Sequence, residues 1–327
     1  GCPVLLTEPQ STNLITDSSL SNWNVGRATI NENANISPSG ENDAVALVAT
    51  AVLEDHQIIT LENLPLGEVT YSVFAKQGDK SWIRLWETST DVYAQFDIVN
   101  GVVGSTNGLV TDTSIEDYGN GWFRCSMTYS TLSASSKSIR VYAVVDDSTK
   151  NYLGDGVTED VYLYGGQIEE LSYATSLIPT YGTVRTRLQD SVSGAGTSSD
   201  FNSTEGTFFF EGSFSSDGRI EINSADNLYK VVIGFSNSVF YRIRENGVNL
   251  FTHFISSANQ LNSNYKIAVR YESGNSCIYV NGVKESDSDA FSLLGLSELN
   301  FVSEGQELVG KTSQIQVFKT ALSDFEL

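Results

Sequence analysis

Apolar and polar residues alternate with a period of two along most of this chain, the spacing that sends successive side chains to opposite faces of an extended strand. Val69, Tyr71, Val73 and Ala75 share one face of residues 68–76, and Val161 and Leu163 alternate with Tyr162 and Tyr164. Ile139, Val141, Ala143 and Val145 repeat the pattern, with Arg140 and Tyr142 opposite. Shorter runs at 4–6, 14–15, 23–30, 44–49 and 56–61 are separated by turn-forming clusters such as NISPSGEND. A second series follows at 207–214, 229–235, 239–244, 265–271 and 276–280, where Asn281-Gly282 is the strongest hairpin signal in the chain. No convincing helix interrupts either series, so the pattern predicts an all-β protein of two tandem antiparallel β-sandwiches.

Between the two series lies GGQIEELSYATSLIPTYGTVRTRLQD, residues 165–190. Gly165-Gly166 reads as the break after a last strand, and Pro179 with Gly182 ends regular structure, because proline lacks the ladder donor. The module boundary is expected between Ile178 and Thr197, giving one domain over 1–180 and another over 185–327. A chain of 327 residues is long enough for two cores. At the far end, residues 319–327 read as the start of a short helix with Ser323 as its cap.

The informative pair of strands is 81–87 and 91–98. Val92, Ala94, Phe96 and Ile98 share a face that reads as core, so Ile83 and Leu85 should point inward from the partner strand. That leaves Trp82, Arg84 and Trp86 pointing outward, beside Tyr93, Gln95 and Asp97, with Arg140 and Tyr142 outward on a further strand. Such a band suits a sugar: aromatic faces stack on the C–H face of a pyranose while Arg, Gln and Asp bond its hydroxyls. The competing reading is that a loop or the neighbouring domain covers one of the tryptophans as a packing residue. Trp23 and Trp122 read as packing residues.

Composition narrows the choice. The formal charge is −21, with 8 basic and 23 acidic residues over 1–180 and 11 and 17 over 181–327. A field of that sign repels phosphate backbones, which argues against nucleic-acid binding, and it disfavours anionic membranes. No apolar run approaches the length needed for membrane insertion. Cys2, Cys125 and Cys277 stand at unrelated spacings and, with two distant histidines, form no metal pattern. Glu285, Asp287 and Asp289 in KESDSDA are carboxylates at alternate positions. A solvated loop is the preferred reading, with a weak calcium loop or a glycosidase-like pair as alternatives. No apolar face anchors the segment, so nothing raises a carboxyl pKa for acid catalysis. No Ser–His–Asp set can be assembled from His56 and His253, and the chain reads as non-enzymatic. It begins on glycine in strand-like text and is read as a piece of a longer polypeptide.

Several stretches carry a family resemblance. GQIEE, then YATSLIPT, then TRLQD resemble a signature of phage tail and fibre proteins and related bacterial surface proteins, and CPVLLTEPQSTNLI resembles the opening of the same module. The GNGWFRC text around Trp122 matches a recurrent pattern of that family. SVSGAGTSSDFNSTEGTFFFEGSF and IYVNGVKE resemble parts of laminin-G-like domains. The resemblance implies a jelly roll like a carbohydrate-binding module, then a concanavalin A-like (laminin-G-like) sandwich. It further implies adhesion at a virion surface, with a host cell-surface glycan and other virion proteins as partners and a homotrimer as the full-length assembly. A structural calcium ion is also implied, with Glu169, Glu41 and Asp43 as candidate ligands in the first module and Glu285, Asp287 and Asp289 in the second. Two alternatives stand beside this: an accessory module of a secreted polysaccharide-degrading enzyme, and a structural virion part that binds only protein.

Overall fold

The strands form where alternation is cleanest, and they assemble into two units, Gln10–Leu188 and Gly1–Pro9 together with Gln189–Leu327. The computed structural model describes residues 5–286 and 290–327, and among these no residue is helical. Among the described residues no helix is long and apolar enough to cross a membrane. The 10–188 unit is thus inserted, in chain order, into the other, which is called the host unit below.

The inserted unit is an antiparallel sandwich of two six-stranded sheets. One sheet runs Val102–Thr106, Val92–Asp97, Trp82–Glu87, Ser135–Val144, His56–Leu64, Asn24–Gly26; the other runs Val110–Gly119, Trp122–Thr131, Gly67–Gln77, Glu159–Glu169, Ala44–Ala49, Ala28–Asn35. Ile83, Leu85, Ala94, Phe96, Val141 and Ala143 from the first sheet meet Tyr71, Val73, Cys125, Met127, Val161 and Leu163 from the second in one buried cluster. The inward face expected for 139–145 ends one residue early: Val145 lies beyond the strand, 40% exposed. Trp23 and Trp122 are buried, their indole N–H groups donating to the carbonyls of Asp17 and Ile36.

Gly165-Gly166 does not end the last strand. Strand Glu159–Glu169 continues through it with a bulge between Tyr164 and Gln167, and Gly165 takes a φ of 66°. The extra residue reverses the parity of the strand, because side chains alternate strictly. Val161 and Leu163 face the core before the bulge and Ile168 faces it after, which turns Gln167 and Glu169 to the other side. There they build a clasp with the start of the unit. Ser11 Oγ, Gln167 Nε2 and the Thr175 amide donate to the Glu169 carboxylate at 2.7, 2.6 and 2.9 Å, and the Thr175 hydroxyl is a fourth donor. Asn13 Nδ2 donates to the carbonyls of Gly166 and Ile178, while its Oδ1 accepts from the amides of Ile15 and Ile168. The GQIEE and YATSLIPT stretches are therefore a fastening between residues 11–18 and 166–180.

The host unit holds a six-stranded sheet, Leu5–Thr7, Gly310–Phe318, Glu205–Phe214, Tyr265–Glu272, Cys277–Val280, Val283–Ser286, and a seven-stranded one. The second follows Val248–Ile255, Val239–Glu245, Lys230–Phe235, Gly218–Ser224, Gln306–Glu307, Val302–Ser303, and Leu296–Asn300 also pairs with Gly218–Ser224. Phe208, Phe210, Phe214, Ile220, Ile233, Tyr241 and Ile267 pack between the sheets. Pairing is antiparallel except for one parallel contact, Arg219 with Glu307. Asn281 and Gly282 take φ of 52° and 81°, as a hairpin turn of this type requires.

One expectation needs correction here: the 1–180 module does not hold residues 5–9, because Leu5–Thr7 pairs with residues 310–312 and the Glu8 amide donates to the Asp190 carboxylate. The start of a helix expected at Ser323 is a turn in which the Ser323 amide and hydroxyl both donate to Glu326.

Arg219, Arg242 and Arg244 all reach the Glu304 carboxylate in this unit. Burial works to raise the Glu304 pKa, but Arg242 and Arg219 outweigh it and hold it below the usual range. A depressed folded-state pKa contributes stability that is present above the unfolded value and lost as pH falls through the folded one. Melting temperature of wild type is therefore expected to fall more steeply with acid than that of Glu304→Gln; parallel curves would remove the carboxylate from this role.

Candidate functional site

The outer face of the inserted unit's first sheet carries the expected band, and strand register explains how. Three strands lie side by side so that Arg140, Trp86 and Tyr93 form one rung, Tyr142, Arg84 and Gln95 the next, and Val144, Trp82 and Asp97 the third. Ile83 and Leu85 point into the core, which leaves Trp82, Arg84 and Trp86 on the outer side, each partly exposed. Trp82 and Trp86 are four residues apart on one strand, roughly 13 Å at the usual rise per residue.

Arg84 is the centre of the band. Its guanidinium donates through Nε and Nη2 to Gln95 Oε1 at 3.0 and 2.9 Å and lies 4.5 Å from the Tyr93 ring centroid and 5.4 Å from that of Trp86. Burial lowers its pKa against the opposing pull of Tyr93, Tyr142, Asp147 and Asp91. Trp86 is edge-on to Tyr93 at 6.0 Å and tilted against Tyr142 at 5.4 Å, and its indole N–H donates to Asp91 at 3.0 Å. Lys150 Nζ stands 5.1 Å from the Trp86 centroid and is paired with Asp55 at 3.1 Å.

Three of the eight expected sugar-contact residues sit too deep for that role. Gln95 is 1% exposed, and its amide nitrogen donates to Ser105 Oγ and to the Asp147 carboxylate and carbonyl. Asp97 is 8% exposed. Burial works to raise its pKa, but the Asn100 side chain and the amides of Asn100 and Val99 hold it low, capping the following turn. Tyr142 is buried beneath Trp86, and its hydroxyl accepts from Arg140 Nη1. Alternation correctly sends these residues outward, but neighbouring side chains and the 146–150 loop then cover them. Trp82, Trp86, Tyr93, Arg84 and Arg140 remain partly exposed. Lys150 and Asp147 were missed, because the DDSTK loop has no periodicity to reveal which strand it folds over.

Gly104 lets Trp82 lie flat. A Cβ there would stand 2.6 Å from Trp82 Cζ3 and nearer still to Asp147 Oδ1. Gly104→Ala is expected to cost about 1–3 kcal/mol of stability through overpacking and to shift the indole emission of Trp82. An unchanged spectrum and melting curve would show that the loop yields freely.

The first-module residues expected to hold calcium form no metal site, and the second-module set lies partly outside the described residues. Glu169 is fully buried and both its oxygens are occupied by the four donors of the clasp. Glu41 is exposed, and Asp43 accepts from Ser39 on an edge loop. Glu285 is exposed and accepts from Ser257, while Asp287 and Asp289 lie outside the described residues. Among the described residues no group of three or more His, Cys, Asp or Glu could hold a metal ion. The melting temperature of the inserted unit is expected to be the same in calcium and in chelator, since a ligand held only by the native state would raise it.

No family model matches this chain, and no curated protein matches it. Among solved structures it is similar to the LG4–5 domains of the mouse laminin α1 chain, at 8% identity over 83% of this chain and 89% of that one, with a TM-score of 0.30. At that score the likeness bears on no residue of the band.

Proposed function

We propose that this chain is a non-catalytic glycan-binding adhesion module of a phage virion, contacting host surface polysaccharide through the outer face of the inserted unit. The observation that carries the reading is the partly exposed set Trp86 and Tyr93 on one rung and Trp82 two rungs on, with Arg84 fixed on the rung between them by Gln95. A rigid aromatic surface offers stacking without ordering cost, and guanidinium donors at its edge suit hydroxyl or carboxylate groups of a polysaccharide. The virion assignment is supported by the GQIEE, YATSLIPT and TRLQD stretches; in this fold they form the clasp and its continuation, whose strand Arg185–Arg187 pairs with Ser11–Asn13. A glycan array probed with wild type and Trp86→Ala tests the reading: retention of a defined polysaccharide by wild type alone supports it, and an empty array overturns it.

The covering of Gln95, Asp97 and Tyr142 favours a second reading, in which the band stiffens the sheet of a structural virion part that binds only protein. In that case the array stays empty while Trp86→Ala melts at a sharply lower temperature.

A further inference from the structure

A second site of different chemistry lies within the host unit. A cavity of about 440 Å³ opens between the outer face of the seven-stranded sheet and residues 300–305 at its edge, lined by Ser193, Glu221, Asn227, Lys230, Arg244 and Glu304, among others. That is the size range of small-molecule sites. No aromatic side chain lines it, so a ligand there cannot be held by stacking.

The charges in its wall are bonded to one another, and Glu304 is held from behind by Arg219 and Arg242 as well. Lys230 Nζ meets Glu221 Oε1 at 2.8 Å, with the two side chains 6% and 2% exposed, and Arg244 meets Glu304 at 3.2 Å. Taking an ion pair out of water is unfavourable unless its remaining lone pairs and protons are also satisfied. Here they are not: Glu221 Oε2 and Arg244 Nε are both buried without a hydrogen-bond partner. One is an acceptor and the other a donor. The terminal torsion of a glutamate is soft, so its two oxygens can share Lys230 and an incoming group.

We propose that this cavity binds a small neutral polyhydroxylated ligand, of the size of a monosaccharide, by hydrogen bonds alone. A hydroxyl both donates and accepts, which is what the unsatisfied carboxylate and guanidinium together require. Two carboxylates in the wall oppose an anion, and Lys230 and Arg244 oppose a cation, so a neutral molecule is favoured.

The test uses calorimetric titration of the full chain with glucose, galactose, N-acetylglucosamine and rhamnose, and with glucuronate and sulfate for comparison. One neutral sugar is expected to bind saturably in the millimolar range. Glu221→Gln should weaken it at least tenfold. That substitution also disturbs a buried ion pair, so Asn227→Gly serves as the second variant: Asn227 has a φ of 61°, which glycine adopts freely, and Asn223 Nδ2, which loses the Asn227 side-chain oxygen, keeps its bond to the Ser224 carbonyl. It should weaken binding severalfold with melting unchanged. Trp86→Ala should leave this binding intact, which separates failure of this site from failure of the band. The proposal is overturned if no neutral sugar binds, if glucuronate or sulfate binds in preference, or if binding follows Trp86→Ala but neither cavity variant.

Discussion

Glu169→Ala is expected to lower the stability of the inserted unit by about 3–5 kcal/mol, among the largest effects of any single substitution in the chain. The carboxylate is fully buried, and four donors converge on it from Ser11, Gln167 and Thr175. Alanine leaves all four facing a cavity, and an unmade buried hydrogen bond loses the desolvation free energy of its donor without return. Glu169→Gln is the informative comparator. It keeps the volume and one acceptor oxygen but turns an amide N–H₂ toward donors, so it should fall between wild type and alanine. Denaturant unfolding followed by the fluorescence of Trp23, which is buried within the inserted unit, reads the effect. If the alanine variant unfolds at the wild-type midpoint, the clasp is not what closes this unit. The same result would return Glu169 to candidacy as a ligand.

The second large effect is on binding. Trp86→Ala is expected to weaken polysaccharide binding by about 1–3 kcal/mol, from tenfold to more than a hundredfold, because it removes the central stacking surface of the band. Trp86 is half-covered, by Tyr142 below it and by Arg84 and Lys150 at its sides. Its truncation should therefore cost about 1–2 kcal/mol of stability, less than the 3–5 kcal/mol typical of a fully buried tryptophan. Melting and binding measured on one preparation separate the two roles. A stability loss at the full buried value, with binding unchanged, would make Trp86 a packing residue.

Much of this was open to reading along the chain. Strict alternation identified which faces of residues 68–76, 82–87, 92–97 and 161–163 look inward, because burying one face of a strand demands a period of two whatever lies opposite. Asn281-Gly282 identified a hairpin because few residue pairs tolerate two positive φ angles in succession. The outward direction of Trp82, Arg84 and Trp86 followed from the aliphatic residues between them.

Exposure did not follow, since it depends on what crosses over a face rather than on the strand itself. Gln95, Asp97 and Tyr142 point outward and are nonetheless buried, under contacts with Arg84, Asp147, Asn100 and Trp86 that arise from other strands and loops. The side Glu169 faces was not legible either, because it is reversed by the Gly165-Gly166 bulge, which alternation alone reads as a break. The N-terminal strand is the clearest case. Leu5–Thr7 pairs with residues some three hundred positions away, and no local periodicity encodes a partner at that distance. Sequence alone determined the all-β class and the inward faces of the cleanly alternating strands; tertiary structure decided where the less regular strands such as Val110–Gly119 and Val248–Ile255 pair, which outward residues stay wet and which sandwich the first strand completes, because these are settled by long-range packing.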